Sequence, residues 1–441
     1  MHKFNKKYAF IENMEKRDLK DVIIDQKEEL ENLTKREKII EREFFTIYKK
    51  QIDSDLVKVI TGIRRCGKSV LSYQLLKHKN FAYINFDDER LVVLETKDLN
   101  TVLEVFYEVY GQFKFLLLDE VQNIRGWELF VNRLQRQGFN AVITGSNAKL
   151  LSKELATHLT GRHLALELFP FSFREFLDYY GFEINRKPLS TREKGIIKKK
   201  FNEYIQRGGF PEALKENTNS KAYLQALYST IIDKDVVLRH KVKYVKTLKD
   251  ISNYLLSNTA SQVSFNKIKN VFNLKSIHTA LNYLSFLEEA YIFFFLKRLS
   301  YKYKESLIAN RKVYVIDPGF INALSFKFSH NLGKLYENLV AVELLRKKAT
   351  KHIELYYWQD IYKHEVDFVI KHGLKINQLI QVCYNIKDYD TKKHEVRALV
   401  KASKELKCRN LLVITEDFEG EEIVERKKIT YTPLWKWLLN H

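Results

Sequence analysis

The stretch Leu56–Leu71 reads LVKVITGIRRCGKSVL, and it limits the fold more than any other part of the chain. Leu56 to Ile60 is a β-prone run. Gly62-Ile63-Arg64-Arg65-Cys66-Gly67-Lys68-Ser69 then fits G-x-x-x-x-G-K-[ST], and Val70, Leu71 and Leu75 open an apolar helix pattern. Strand, glycine loop and helix in that order form a phosphate cradle. Gly62 and Gly67 let the backbone fold tightly, so that the N–H groups from Gly62 to Val70 converge on one anion at a helix N-terminus. Lys68 is placed to reach β- and γ-phosphates, and the Ser69 hydroxyl to ligate Mg²⁺. The expected ligand is ATP with Mg²⁺.

A second motif supports the first. Phe115-Leu116-Leu117-Leu118-Asp119-Glu120 puts two acids at the end of an apolar run, as in a strand buried on both faces. Ligands of open α/β sheets bind at such carboxyl ends. Asp119 is expected to hold Mg²⁺ through water, and Glu120 to orient and polarise the attacking water. Ala141-Val142-Ile143-Thr144 is another apolar strand, followed by Gly145-Ser146-Asn147. Asn147 or Ser146 could sense the γ-phosphate there, or simply cap the next helix. His163–Leu168 is a further β-like run. Arg162 before it reads as an arginine for a neighbouring subunit's nucleotide, in a homo-oligomer, or as a surface arginine.

The 441 residues suffice for about three domains, and 45% hydrophobic with 29% charged residues marks a globular chain. Lys and Arg number 75 against 55 Asp and Glu, a formal charge of +20. This reads either as affinity for nucleic acid or another polyanion, or as the habit of a lysine-rich proteome. Cys66, Cys383 and Cys408 show no paired spacing for zinc or disulfides, which suits a reducing compartment. Cys66 reads either as a thiol of lowered pKa beside Arg64, Arg65 and Lys68 or as a buried, inert cysteine. No apolar run approaches transmembrane length, so no membrane partner is expected and the reading is soluble and cytoplasmic. The helical pattern begins just after Met14, leaving the first thirteen residues as a tail.

The expected organisation is an α/β protein in five parts. Residues 1–50 form a charged helical segment, 51–180 a parallel-sheet core and 181–243 a helical subdomain. Residues 244–312 give three helices and a hairpin, the pattern of a winged helix. Its basic stretch carries Lys297, Arg298, Lys302, Lys304, Arg311 and Lys312, with Tyr301 and Tyr303 interleaved, which reads either as a wing lying on a phosphate backbone or as part of a purely structural or interdomain module. The third helix offers only Lys275, His278 and Asn282 to a groove. Residues 313–441 form a separate α/β pattern.

Gly62–Ser69, Leu118-Asp119-Glu120-Val121-Gln122, Thr144-Gly145-Ser146-Asn147, Gly161-Arg162 and Gly208-Gly209-Phe210-Pro211-Glu212 occur together in this chain. The set resembles the prokaryotic AAA-like P-loop ATPases that carry a C-terminal domain of uncharacterised function. The resemblance implies an AAA-type core, a winged-helix module and a C-terminal domain similar to the PD-(D/E)XK nuclease fold. That fold gathers acids from a helix and two strands, with a lysine beside the last acid. Glu337 matches the helix acid and Asp367 the first strand acid, but Glu-x-Lys is replaced by Gln381-Val382-Cys383. Lys371 or Lys387 could take over the lysine's role. The expected function is an Mg²⁺-dependent ATPase whose nucleotide state acts on DNA or a protein partner. The rivals are an ATP-regulated nuclease and a nucleotide-switched signalling scaffold.

Overall fold

Three strands, β1 (Val57–Gly62), β3 (Phe115–Asp119) and β4 (Asn140–Gly145), are buried along their whole length, and two polar side chains among their residues, Lys58 of β1 and Asn140 of β4, hydrogen-bond each other at 2.8 Å. With β2 (Phe81–Asn85) and β5 (His163–Leu168) they form a parallel sheet of order β2-β3-β4-β1-β5. The structure, a computed structural model, describes residues 14–36, 38–146, 161–182, 189–300, 302, 305, 309–324 and 332–440. The tail expected before Met14 lies outside them. The register sets Asn85 opposite Asp119 and Thr61 opposite Gly145, so the carboxyl ends share one edge. Helices α1 (Lys16–Arg36), α2 (Phe45–Gln51), α3 (Lys68–Leu76), α4 (Leu99–Tyr110) and α5 (Trp127–Arg136) accompany this sheet. Leu19, Val22 and Ile23 of α1, Val102 and Phe106 of α4, and Trp127 and Val131 of α5 enter one core with the strands. Burying each large apolar side chain contributes about 1.5–3 kcal/mol.

An exposed parallel edge would leave β2 with unpaired peptide groups. Gln26 of α1 answers this: its amide accepts from Asn85 N at 2.8 Å and donates to Asn85 O at 3.1 Å. The charged N-terminal segment is therefore part of the sheet's architecture.

The chain divides into two compact units, residues 1–168 and 169–441. The helix Phe173–Tyr179, expected at the end of the ATPase core, packs with the second unit. That unit continues through helices Thr191–Arg207 and Ser220–Thr230 and a π-helical stretch, Ile231–Leu238. Helix Val245–Ser257, β6 (Ser261–Val263), helices Phe265–Val271 and Ile277–Glu289, β7 (Phe293–Arg298) and β8 (Arg311–Val315) follow. Next come helices Pro318–Leu324 and Leu332–Thr350, then β9 (Glu354–Gln359), β10 (Glu365–His372) and β11 (Lys375–Val382). Helix Tyr389–Glu405 leads to β12 (Leu411–Thr415), β13 (Gly420–Val424), β14 (Lys427–Pro433) and the closing helix Leu434–Leu439.

Two expectations change here. Among the described residues, the nine strands of this unit form one sheet, β13-β14-β12-β11-β10-β9-β7-β8-β6, joined by a parallel pairing of Lys297–Arg298 with Tyr356–Tyr357. The boundary expected between residues 312 and 313 falls inside β8, which pairs antiparallel with β7 and β6. Lys312 is also not a wing cation. The strand carries it inward, and it is 2% exposed.

Candidate nucleotide site and a second carboxylate cluster

The glycine loop turns where only glycine fits. Gly62 has φ +149°, and a Cβ there would collide with the Leu168 carbonyl oxygen. Gly67 starts α3 at φ +99°, in the left-handed region. Between them Ile63 and Cys66 are buried, Arg64 is half-buried and Arg65 is exposed at φ +65°. Ser69 and Val70 lie half-buried on the first turn of α3. Arg64 reaches Asp87 at 3.1 Å, beyond the end of β2.

Lys68 is buried and lies across the loop. Its Nζ is 3.3 Å from Gly62 O, 3.4 Å from Ile63 O and 3.3 Å from the Glu120 carboxylate. Burial disfavours its charge, but Glu120 and Asp119 outweigh this and raise its pKa. Burial likewise pushes Glu120 up, yet Lys68, the Gln122 amide and Arg64 hold it at about 2. Glu120 is therefore ionised.

The Ser69 hydroxyl donates to Asp119 at 2.5 Å. A hydroxyl and a carboxylate meeting at the foot of a phosphate loop suit a hard divalent ion, so this donor set fits Mg²⁺. Burial and the neighbouring Glu120 raise the Asp119 pKa, which a bound cation would reverse.

Thr144, at the end of β4, was not singled out from the sequence. Its hydroxyl donates to Asp119 and accepts from Glu120 N at 3.0 Å. Glu120 sits at φ +51°, a backbone state that costs about 1–3 kcal/mol outside glycine, and Thr144 helps to hold it there. Asn147 lies outside the described residues, and Ser146 is buried. Arg42, also unforeseen, is buried and donates to Cys66 O at 3.1 Å. One arginine in a charged helical segment carries no sequence signal for this.

The remaining site residues fall elsewhere or behave differently. Val57 to Gly62 pair in register with His163 to Leu168. Arg162 therefore stands at the amino ends of the strands, about 17–20 Å from the loop at ~3.3 Å per residue, and cannot reach its own chain's nucleotide. It donates to Asn132 at 3.2 Å. The lowered thiol expected at Cys66 is overturned. The residue is fully buried, its Sγ faces Leu168 O at 3.5 Å, and burial raises its pKa despite Lys68 and Arg42.

In the second unit, Glu337 and Asp367 come together around a lysine that is neither Lys371 nor Lys387. Lys312 Nζ lies 2.6 Å from Glu337, 2.7 Å from Glu365 and 2.9 Å from Asp367. Lys371 is paired with Glu354 at 2.9 Å. The Gln381 side chain accepts from Asp367 N at 3.2 Å and donates to Glu395 at 2.5 Å. Burial, Asp367 and Glu337 push Glu395 up to about 8. Burial and Asp367 also raise Glu337. β8 is buried on both faces from Lys312 to Val315, and the apolar run Val313-Tyr314-Val315-Ile316 beside Lys312 was the signal that could have placed it here.

Comparison with known proteins gives three consecutive matches. A family profile described as an AAA domain matches residues 54–177, and two profiles of domains of unknown function, DUF8612 and DUF4143, match 198–331 and 332–437. An uncharacterised protein of Methanocaldococcus jannaschii is 39% identical over 436 residues, covering 96% of this chain and 95% of that one. An uncharacterised protein of Haemophilus influenzae is 32% identical over 353 residues, covering 76% and 84%. Among solved structures, the Walker-type ATPase paby2304 of Pyrococcus abyssi is 16% identical, with a TM-score of 0.43, over 66% of this chain and 97% of that one.

Proposed function

The chain belongs to the same family as these uncharacterised archaeal and bacterial proteins and carries an AAA-type P-loop nucleotide-binding domain; from that premise we propose that it is an Mg²⁺-dependent ATPase whose nucleotide state drives a conformational change. The observation that carries this reading is the convergence of Lys68, Ser69, Asp119 and Glu120 at the carboxyl edge of the parallel sheet. In the present arrangement Lys68 is held by Glu120 and two loop carbonyls. A triphosphate in the loop offers Lys68 stronger anionic partners. The Glu120 carboxylate is then released to orient water against the γ-phosphate. Thr144 keeps its backbone in place. Mg²⁺ held by Ser69 and, through water, Asp119 would neutralise charge between the β- and γ-phosphates.

The partner is proposed to be DNA or another protein. We read the module Val245–Val315 as a winged helix: its elements run helix, strand, helix, helix, strand, strand, and its sheet order is β7-β8-β6. Lys275, His278 and Asn282 are exposed on the groove-facing helix and its approach, and Lys297 and Lys302 are exposed beside the hairpin. Tyr301, Tyr303 and Lys304 lie outside the described residues. We read the last module as a PD-(D/E)XK-like fold without nuclease activity. Arg162, at the far end of the sheet from Lys68, is proposed to serve a neighbouring subunit's nucleotide in a homo-oligomer.

The test is phosphate release from ATP by the purified full chain with Mg²⁺. Hydrolysis is expected in the wild type, and loss of nucleotide binding in Lys68→Ala. A folded wild-type chain that neither binds nor hydrolyses ATP overturns the proposal.

A further inference from the structure

The buried Lys312 ammonium lies 2.6, 2.7 and 2.9 Å from three carboxylates, those of Glu337, Glu365 and Asp367, and donates a hydrogen bond to Asp367. Each acid is also held from behind. The Tyr314 hydroxyl donates to Glu337 at 2.7 Å, the Gln262 amide to Glu365 at 2.6 Å, and Val382 N to Asp367 at 2.9 Å. The oxygens are thus fixed around one point by β6, β8, β10, β11 and the helix Leu332–Thr350, and the lysine nitrogen is at that point. Among the described residues no group of His, Cys, Asp or Glu is arranged to hold a metal ion by itself; the centre of this group is taken.

We propose that Lys312 is the resident cation of this carboxylate ring: its ammonium stands where a divalent ion would bind, excludes metals, and ties β8 to β10 and to the helix Leu332–Thr350. A metal entering the ring must displace a buried ammonium paired with three carboxylates, and moving an unpaired charge through the interior is costly. The spacing also sets which ion the emptied ring would take. Oxygens 2.6–2.9 Å from one point are wider than the ~2.0–2.1 Å Mg²⁺ demands and nearer the ~2.3–2.6 Å of Ca²⁺.

The full chain, free of nucleotide, is titrated with Tb³⁺ while tyrosine is excited, since Tyr314 on Glu337 is an antenna beside the ring. Wild-type protein is expected to give no emission that depends on Asp367. Lys312→Met is expected to give saturable emission, abolished by adding Asp367→Asn, reduced by adding Tyr314→Phe, and competed by Ca²⁺ at lower concentration than Mg²⁺. Emission in the wild type that Asp367→Asn removes, or a folded Lys312→Met with no Asp367-dependent emission, overturns the proposal. A Lys312→Met chain that folds only when Ca²⁺ is supplied supports it. The wild type is tested in parallel by acetylating surface lysines and mapping the products by mass spectrometry. Lys312 should stay unmodified with or without millimolar Ca²⁺, and labelling that switches on with Ca²⁺ shows a metal evicting the ammonium and overturns the idea.

Discussion

Lys68 Nζ lies 3.3 Å from the Glu120 carboxylate, with the lysine side chain 4% and the glutamate side chain 13% exposed. The two groups proposed to act on a nucleotide therefore neutralise each other before it arrives. Glu120→Gln removes the charge that holds Lys68 but keeps the side chain's shape. ATP should bind at least as tightly to this variant as to the wild type, while hydrolysis falls by about 10²–10⁴-fold, the usual worth of a positioned general base. Binding by fluorescent nucleotide and turnover by phosphate release separate the two effects. Wild-type turnover in Glu120→Gln would remove the water-orienting role.

The Cys66 thiol should resist alkylation in the folded protein. It is fully buried, and burial raises its pKa, so little thiolate is available. Iodoacetamide labelling followed by mass spectrometry should find Cys66 unmodified both with and without ATP, and modified after unfolding. Rapid labelling that ATP suppresses would restore the accessible thiol expected from the sequence.

Asp317 and the Gly208-Gly209 turn should form one stability unit. The Asp317 carboxylate accepts from Gly209 N at 2.7 Å and Gly319 N at 2.8 Å, and a Cβ on Gly208 would land inside it. Gly208→Ala is expected to destabilise the second unit by about 2–4 kcal/mol through overpacking and backbone strain. Burial raises Asp317 from 3.8 to about 6, against its two backbone donors. The folded state thus binds this proton more tightly than the unfolded state. The group's contribution is most favourable below pH ~4, is lost as pH rises through about 6, and is worth about 3 kcal/mol over that window. Asp317→Asn should flatten this part of the stability–pH curve in chemical denaturation. Parallel curves for variant and wild type would refute the linkage.

Legibility followed chain continuity. The strand-loop-helix at Leu56–Leu71 and the acids after β3 were readable because local sequence alone sets phosphate geometry and strand burial. Thr144, Arg42 and Lys312 were not. Each acts across a distance, Thr144 on two acids of the next strand, Arg42 on a loop 24 residues on, and Lys312 on acids up to 55 residues away. Lys312 misled for a further reason. It sits among cations in sequence, but its strand is buried on both faces from Lys312 to Val315. The Gly208-Gly209-Phe210-Pro211-Glu212 motif was recognisable as a turn, but its partner Asp317 lies more than a hundred residues away.

DNA binding, where it occurs, should be weak in sequence preference and steep in salt. The exposed Lys297 and Lys302 stand beside the pairing of β7 with β8, whereas the helix Ile277–Glu289 and its approach expose Lys275, His278 and Asn282. Contacts of that kind reach phosphates rather than base edges. Lys297→Glu with Lys302→Glu should weaken every duplex alike and lower the log–log salt slope by about 0.9 per lost contact. Mobility shifts at several salt concentrations measure this. No shift of any duplex at low salt would favour a signalling role without nucleic acid.

The last module should not cut DNA. Phosphodiester hydrolysis needs a metal-activated water and a cation for the charge that develops at the scissile phosphate. Lys312 could supply charge, but its ammonium is already paired with Glu337, Glu365 and Asp367. Gln381 is no carboxylate base; its amide is fixed between Asp367 N and Glu395. Cys383 offers no cation, and burial pushes its thiol up to about 11. The cluster is thus occupied from within. Purified protein incubated with plasmid and linear DNA, with Mg²⁺ or Mn²⁺ and with or without ATP, should leave both intact. Cleavage that disappears in Asp367→Ala would show that the ring opens to metal, and would make this protein an ATP-regulated nuclease.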